Sequence, residues 1–135
     1  MKQILTGLIL LAAASAAGAA AGAGGQLEGR WVNPKGSVIV KVAPCGAAYC
    51  GTVVRASAKA KASARSGGTT HLVGTPILSG VSPTGDGAYS GRVFDPKRNI
   101  HAPATIRMVE PNSLEVTGCA IAGLLCKTQR WMRVS

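Results

Sequence analysis

Cys45, Cys50, Cys119 and Cys126 are the residues whose type and spacing point most directly to chemistry, and they are all the cysteines in the chain. Four thiols can form disulfides, a zinc site or a redox pair. Cys45 and Cys50 flank Gly46-Ala47-Ala48-Tyr49, a length suited to a hairpin loop that sets the two cysteines opposite one another on adjoining strands. Cys119 and Cys126 flank Ala120 to Leu125 in the same manner. Opposite positions on an antiparallel pair bring Cβ atoms near the separation a disulfide needs. Of the three possible connectivities, local geometry therefore prefers Cys45–Cys50 and Cys119–Cys126. Chain entropy alone would not choose them. Each small loop is worth roughly 2 kcal/mol, against about 4.5 for a bridge joining the two pairs. The spacings are wider than most zinc knuckles, and no Cys-x-x-Cys is present.

Other reactive side chains are few. Catalysis would have to draw on His71, His101, Asp86, Asp95, Glu28, Glu110 and Glu115. The chain has no Gly-rich phosphate cradle, no Gly-x-Ser-x-Gly elbow and no His-Glu-x-x-His. Asp86 and Asp95 stand in turn sequences, where an Asp caps its own backbone. His71 and His101 stand alone in sequence. The expectation is a protein that is not an enzyme and uses no cofactor or metal.

Basic residues outnumber acidic ones 15 to 5, a formal net charge of +10. Such a chain is drawn to anionic partners. The anion-contact candidates are Arg55, Lys59, Lys61 and Arg65 in one segment, with Lys127, Arg130 and Arg133 near the C-terminus.

The N-terminus restricts which anions those are. Lys2 precedes an apolar run from Ile4 to Ala14, and a small-residue tract from Ser15 to Gly25 offers several Ala-x-Ala cleavage sites. This is the pattern of a secretory signal peptide. Its apolar core is about 11 residues, too short to span a bilayer core comfortably. The absence of charge between Lys2 and Glu28 leaves an uncleaved anchor as the alternative. We expect a signal peptide over residues 1–23, cleavage within residues 16–25, and one domain over 24–135 without a transmembrane span. No cysteine lies near the cut to carry a lipid. The mature protein is expected in the periplasm or outside the cell, as a monomer. Export argues against nucleic acid and for an anionic envelope component, and the compartment favours disulfides over thiolates.

The elements that position these residues are strands. Turn signals recur at Asn33-Pro34-Lys35-Gly36, Pro44-Cys45-Gly46, Pro83 to Gly87, Asp95 to Asn99 and Glu110 to Ser113. Between them lie short alternating runs, such as Val38, Val40 and Val42 against Lys41, or Ala104, Ile106 and Met108 against Thr105 and Arg107. About eight strands result, including Glu28 to Val32 and a weaker Thr75 to Gly80. They are spaced as in an all-β antiparallel sandwich or barrel. The many Ala and Gly on these strands either leave room inside or fit a narrow barrel.

Two segments break the pattern. Arg55 to Ser66 alternates Ala with Ser, Lys and Arg and has no apolar face, so it is expected as a mobile loop or a frayed helix. It is read either as a solvated insertion or as a basic lid. Residues 120–125 are apolar throughout and lie between two cysteines. They either plug one barrel end, the preferred reading, or form a contact patch.

The ordered set Gly29-x-Trp31, Cys45-Gly46-x-x-x-Cys50-Gly51, Gly85-Asp86-Gly87, Gly91-x-Val93-x-Asp95-Pro96, Gly118-Cys119 and Cys126-x-x-Gln129-x-Trp131-x-Arg133-Val134 resembles a family of uncharacterised exported bacterial proteins, a domain of unknown function. The resemblance runs from about Leu27 to the C-terminus. It implies a secreted or periplasmic β-barrel of the lipocalin-like or fatty-acid-binding kind, with no established activity and no catalytic residues to transfer. Many relatives carry a more aromatic, Asp- and Pro-containing segment where this chain has its Lys/Ala-rich stretch. Gly29-x-Trp31 also resembles the first strand of lipocalins, whose Trp packs at the closed end beneath a basic residue of the last strand. Arg130 or Arg133 would take that part as a cation–π partner, with Trp131 on the same strand. First and last strands would then pair and abolish the open edges.

Two functions follow as expectations. The first is a carrier or sensor that binds a small apolar or amphipathic ligand inside the barrel. The second is a basic envelope protein that contacts anionic polymer, lipid or a protein partner through its Lys and Arg residues.

Overall fold

The computed structural model describes residues 26–120 and 125–135. The expected signal peptide and cleavage site, and the central residues of the apolar 120–125 segment, lie outside the described residues, so the choice between plug and contact patch lies outside them too. Among the described residues eight strands close into a barrel in simple sequence order, each antiparallel to the next. They are β1 (Gly29–Val32), β2 (Val38–Cys45), β3 (Ala48–Ala56), β4 (Pro76–Gly85), β5 (Ala88–Asp95), β6 (Ile100–Glu110), β7 (Ser113–Ala120) and β8 (Leu125–Arg133). A single helix among them, α1 (Ala58–Ser66), lies in the β3–β4 connection.

Alternation decides which residues face inward. Val40 and Val42 are buried and Lys41 is exposed. Ala102, Ala104 and Ile106 are buried, while His101, Pro103, Thr105 and Arg107 are exposed. A period-two chain can satisfy both faces only in one register, so each strand's facing is fixed. The inward set includes Trp31, Val40, Val53, Val81, Tyr89, Ile106 and Leu114, none more than 2% exposed. Burial of one such side chain contributes about 1.5–3 kcal/mol.

Closure depends on β1, the shortest strand. Trp31 pairs with Arg133 and Val32 with Met132. Past the end of β8, the Ser135 carbonyl accepts from the Arg30 amide at 3.1 Å and the Val134 amide donates to the Arg30 carbonyl at 2.8 Å. The seam removes the exposed edges that an open sheet would present.

The interior glycines mark a narrow barrel. A Cβ on Gly91 would meet the Ser79 carbonyl oxygen at 2.8 Å and Val81 Cγ2 at 2.9 Å. On Gly118 it would meet Val93 Cγ1 at 2.8 Å. The β4–β5 register shifts between Ser79 and Ser82, where Gly80 has φ +59°, and this bulge brings the β4 backbone over Gly91. Absent side chains at these positions admit neighbours and leave no room there.

Three expectations need correction. The weak strand expected over Thr75 to Gly80 runs on to Gly85, because the turn that follows is only Asp86-Gly87. Both turn residues have positive φ, 54° and 76°, as a type I′ hairpin requires. Cys45 bonds to Cys50 and Cys119 to Cys126. Cys119 faces Cys126 directly, but Cys45 faces Ala48 and Cys50 faces Ala43, so the first bridge runs diagonally. The reason is a two-residue turn at Gly46-Ala47, tighter than the four-residue loop expected. The third correction is α1, which is neither a loop nor frayed. Ser57 Oγ accepts from the Ala60 amide at 3.1 Å, and the Gly67 amide reaches Ser63 and Ala64 carbonyls at the other end. Ala60 and Ala64 stand one turn apart and make the small apolar face on which the helix packs into the core.

Candidate functional site

The two barrel ends are built differently. At the end where β1 begins and β8 finishes, Trp31 is fully buried and its Nε1 donates to the Leu27 carbonyl at 2.9 Å. Arg133 lies over the Trp31 ring, 4.3 Å from its centroid. The same guanidinium donates to the carbonyls of Glu28 at 2.7 Å, Gln26 at 2.5 Å and Pro111 at 3.3 Å. Of the two arginines considered for this part, Arg133 takes it. Arg130 instead pairs with Glu115 at 3.1 Å on the outer wall. Trp131 is buried opposite Leu114 and donates to Gln129 Oε1 at 3.0 Å, while Lys127 is exposed. A hollow of about 240 Å³ lies beside Arg133, against Met108 to Pro111. Its cation is already bound to backbone carbonyls, so the hollow has little left to offer an anion.

The opposite end is capped by α1. The Ser57 amide donates to the Ser37 carbonyl at 2.8 Å, and Thr69 Oγ1 to the Pro96 carbonyl at 3.2 Å. Gly67 lies directly against the backbone of Pro96 and Lys97. Ala64 and Leu72 are buried in the core beneath this cap.

Asp95 shapes the turn on which Gly67 rests. Its Oδ1 accepts from the Lys97 amide at 3.0 Å and the Arg98 amide at 3.3 Å, and its Oδ2 pairs with Arg98 at 2.8 Å. Burial alone would raise its pKa, but the hydrogen bonds from Arg98 and from the Lys97 and Arg98 amides outweigh that, and the carboxyl sits below its ordinary value. A carboxyl depressed in the folded state contributes stability above its unfolded pKa, near 3.9, and loses it as pH falls through the lower folded value. Asp95→Asn should therefore cost about 0.5–1 kcal/mol at neutral pH, discounted for partial exposure. Urea titrations of both proteins at neutral pH and near pH 2 check this, because the difference between them should shrink in acid.

The cationic candidates are divided by this geometry. Lys61 and Arg65, four residues apart and so on one helix face, line an open cleft of about 220 Å³ with Thr70, His71, Leu72 and Val73. Lys59 and Arg55 are exposed but do not line it. The far wall is pinned in place. The His71 carbonyl accepts from Thr75 Oγ1 at 2.6 Å, the Leu72 carbonyl from the Thr75 amide at 3.0 Å, and the Gly74 amide donates to the Val53 carbonyl at 2.7 Å. Thr70, Leu72 and Val73 were not singled out by the sequence, since an ordinary polar loop gives no sign of which helix face it will meet. One available signal was charge: no acidic residue occurs in the 57 positions from Gly29 to Gly85, which hold seven Lys and Arg.

His101 stacks on Phe94 at 4.6 Å, away from the cleft. Among the described residues no group of three His, Cys, Asp or Glu side chains comes together as metal ligands would.

The model of a family described as an uncharacterised protein conserved in bacteria (DUF2147) matches residues 29–133. The chain belongs to that family. The matched span of this DUF2147 protein takes in every described strand, the α1 cap, both disulfides and the Trp31–Arg133 contact. No curated protein matches the sequence. Among solved structures, protein HP1028 from Helicobacter pylori, described as belonging to the lipocalin family, is similar with a TM-score of 0.63. The two are 16% identical over 81% of this chain and 83% of that one. The DUF2147 barrel is thus lipocalin-like in fold, a fold compatible with binding a small ligand. Two disulfides fit a location outside the cytoplasm.

Proposed function

We propose that this protein is an exported, non-enzymatic carrier or sensor that binds a small apolar or amphipathic ligand at the capped end of its barrel, in the periplasm or outside the cell. The observation that carries this reading is the double position of Leu72. It belongs to the buried core and also forms part of the floor of the Lys61–Arg65 cleft. A ligand seated there has apolar interior one side chain away and cationic donors around it. Because the interior is narrow at Gly91 and Gly118, entry requires Leu72 and the cap to move, and the cap is seated on few hydrogen bonds. The lipocalin-like fold supports the reading by analogy only.

Thermal denaturation with medium- and long-chain alcohols and acids tests it, read beside native mass spectrometry of protein purified gently from the periplasm. A ligand at about a hundred times its Kd adds about 2.7 kcal/mol, a rise of roughly 4–8 °C in a domain of this size. No rise with any of these compounds, together with a clean apo mass, removes the reading.

The acid-free stretch from Gly29 to Gly85 favours a second reading, attachment to an anionic envelope component. Retention on anionic vesicles that falls steeply with salt, without a thermal shift from free ligands, would put it first.

A further inference from the structure

We propose that the cleft between α1 and residues 70–73 is a headgroup site for a phosphate monoester. This rests on the reading above for the apolar part of the ligand, but the headgroup chemistry stands on its own observations. The residues that line the cleft carry an ammonium, a guanidinium, an imidazole and a hydroxyl, on Lys61, Arg65, His71 and Thr70. Arginine offers a planar fork that matches a phosphate, and lysine adds a mobile point charge. Two full positive charges with further donors suit a dianion better than a carboxylate.

Nothing in the described structure already neutralises them. The ion pairs among the described residues are Arg98–Asp95 and Arg130–Glu115. Asp95, on the turn beneath Gly67, is engaged by Arg98, and neither Lys61 nor Arg65 forms an ion pair among the described residues. Hydrogen bonds set the backbone of both walls in the closed state of the cap. On one side Thr69 is tied to Ala64 by its amide at 2.8 Å and to Pro96 by its hydroxyl, and on the other Thr75 and Val53 hold the 71–74 backbone. An ordered backbone leaves only the Lys61 and Arg65 side chains to lose freedom on binding, less than a floppy loop would lose.

Size separates a headgroup from a whole ligand. The cleft's volume of about 220 Å³ is below the roughly 300–1,000 Å³ typical of sites that enclose a drug-sized molecule. It takes a phosphate and the first atoms of what carries it. The remainder must run over Val73, 44% exposed, or past Leu72 into the core.

The test uses the full mature protein and four probes: inorganic phosphate, monododecyl phosphate, dodecanoate and dodecanol. Two double variants remove the same charge from different places, Lys61→Ala with Arg65→Ala inside the cleft and Arg55→Ala with Lys59→Ala outside it. All four residues are exposed, so both variants should fold. Monododecyl phosphate should bind the wild type about tenfold or more tightly than dodecanol, and more tightly than dodecanoate. The cleft variant should lose that preference and keep its dodecanol affinity, and the outside variant should keep both. Inorganic phosphate should shift the amide resonances of Thr70 to Val73 in the wild type and not in the cleft variant.

If neither dodecanol nor monododecyl phosphate binds while the phosphate-induced shifts appear and need Lys61 and Arg65, the barrel reading fails and the anion site stands, its ligand a free phosphate. If monododecyl phosphate binds without preference over dodecanol, or the preference survives in the cleft variant, the headgroup site is overturned. Equal losses in the two double variants would overturn it as well, since net charge alone would then explain the binding. Vesicles of phosphatidylcholine with and without phosphatidic acid form the last arm. Cleft-dependent retention on phosphatidic acid places the monoester in a lipid surface, and its absence beside tight monododecyl phosphate binding places it on a free amphiphile.

Discussion

Trp31→Ala should lower the stability of the folded domain by about 3–5 kcal/mol, the usual cost of truncating a fully buried large aromatic. The position makes the upper part of that range the expected one. Trp31 pairs with Arg133 across the seam, its ring supports the Arg133 guanidinium, and its Nε1 holds the Leu27 carbonyl. One substitution removes the filling, the cation–π plate, worth about 0.5–2 kcal/mol, and a buried hydrogen bond. The disulfides do not compensate. Both lie within single hairpins, β2–β3 and β7–β8, and neither ties β1 to β8. Against a total of about 5–15 kcal/mol for a domain of this kind, the loss is a large fraction. Urea unfolding of wild type and variant measures it, with Trp131 as the remaining fluorophore. A loss near 1 kcal/mol would mean that closure rests on strand pairing and not on the Trp31–Arg133 contact. Arg133→Lys should give a smaller loss in the same assay, because lysine keeps the charge without the fork that reaches three carbonyls.

Gly67→Ala should dislodge the cap while leaving the barrel folded. Gly67 has φ −87°, which alanine adopts without strain, so the effect is steric alone. An added Cβ would lie inside the contact distance of the Lys97 carbonyl oxygen and 2.6 Å from that of Pro96. Backbone cannot rotate aside as a side chain does, and that turn is held by Asp95. Overpacking of this kind costs about 1–3 kcal/mol when the surroundings can adjust. Here α1 gives way, as the less firmly held partner. Trypsin should then cleave at Lys59, Lys61 and Arg65 about tenfold or more faster, and amide exchange over residues 58–75 should rise while β5 to β7 stay protected. Ser66→Ala, at an exposed neighbouring position, should change neither. If ligands enter past the cap, Gly67→Ala should also speed their binding. Unchanged cleavage would mean that the turn at Pro96-Lys97 yields in place of the helix.

The strands were legible because burial on one face leaves a period of two in the sequence. Ser37 to Val42 and Ala104 to Met108 show it plainly, and Asp86-Gly87 and Asn33-Pro34 punctuate it. β4 is longer than its sequence suggests, because Pro83 is by type a turn residue. Opposite Tyr89 it sits within the ladder, where register and not residue type decides. α1 is hidden in the sequence for a related reason. Alanine counts as weakly apolar in any linear pattern, yet Ala60 and Ala64 suffice to seat this helix against the core. The cleft was half visible. Lys61 and Arg65 stood out by charge, but Thr70 to Val73 acquire meaning only from what they face.

By itself the sequence determined the antiparallel all-β class, the rough places of the turns, a preference for local cysteine pairing and the basic character, since these depend on neighbours a few residues apart. The tertiary structure alone decided that Arg133 and not Arg130 lies over Trp31, and that the barrel is narrow at Gly91 and Gly118. It also decided that Leu72 is shared between core and cleft. Each of those depends on contacts between segments far apart in the chain, whose relative placement is fixed only when the barrel closes and the β4 bulge and α1 cap settle against it.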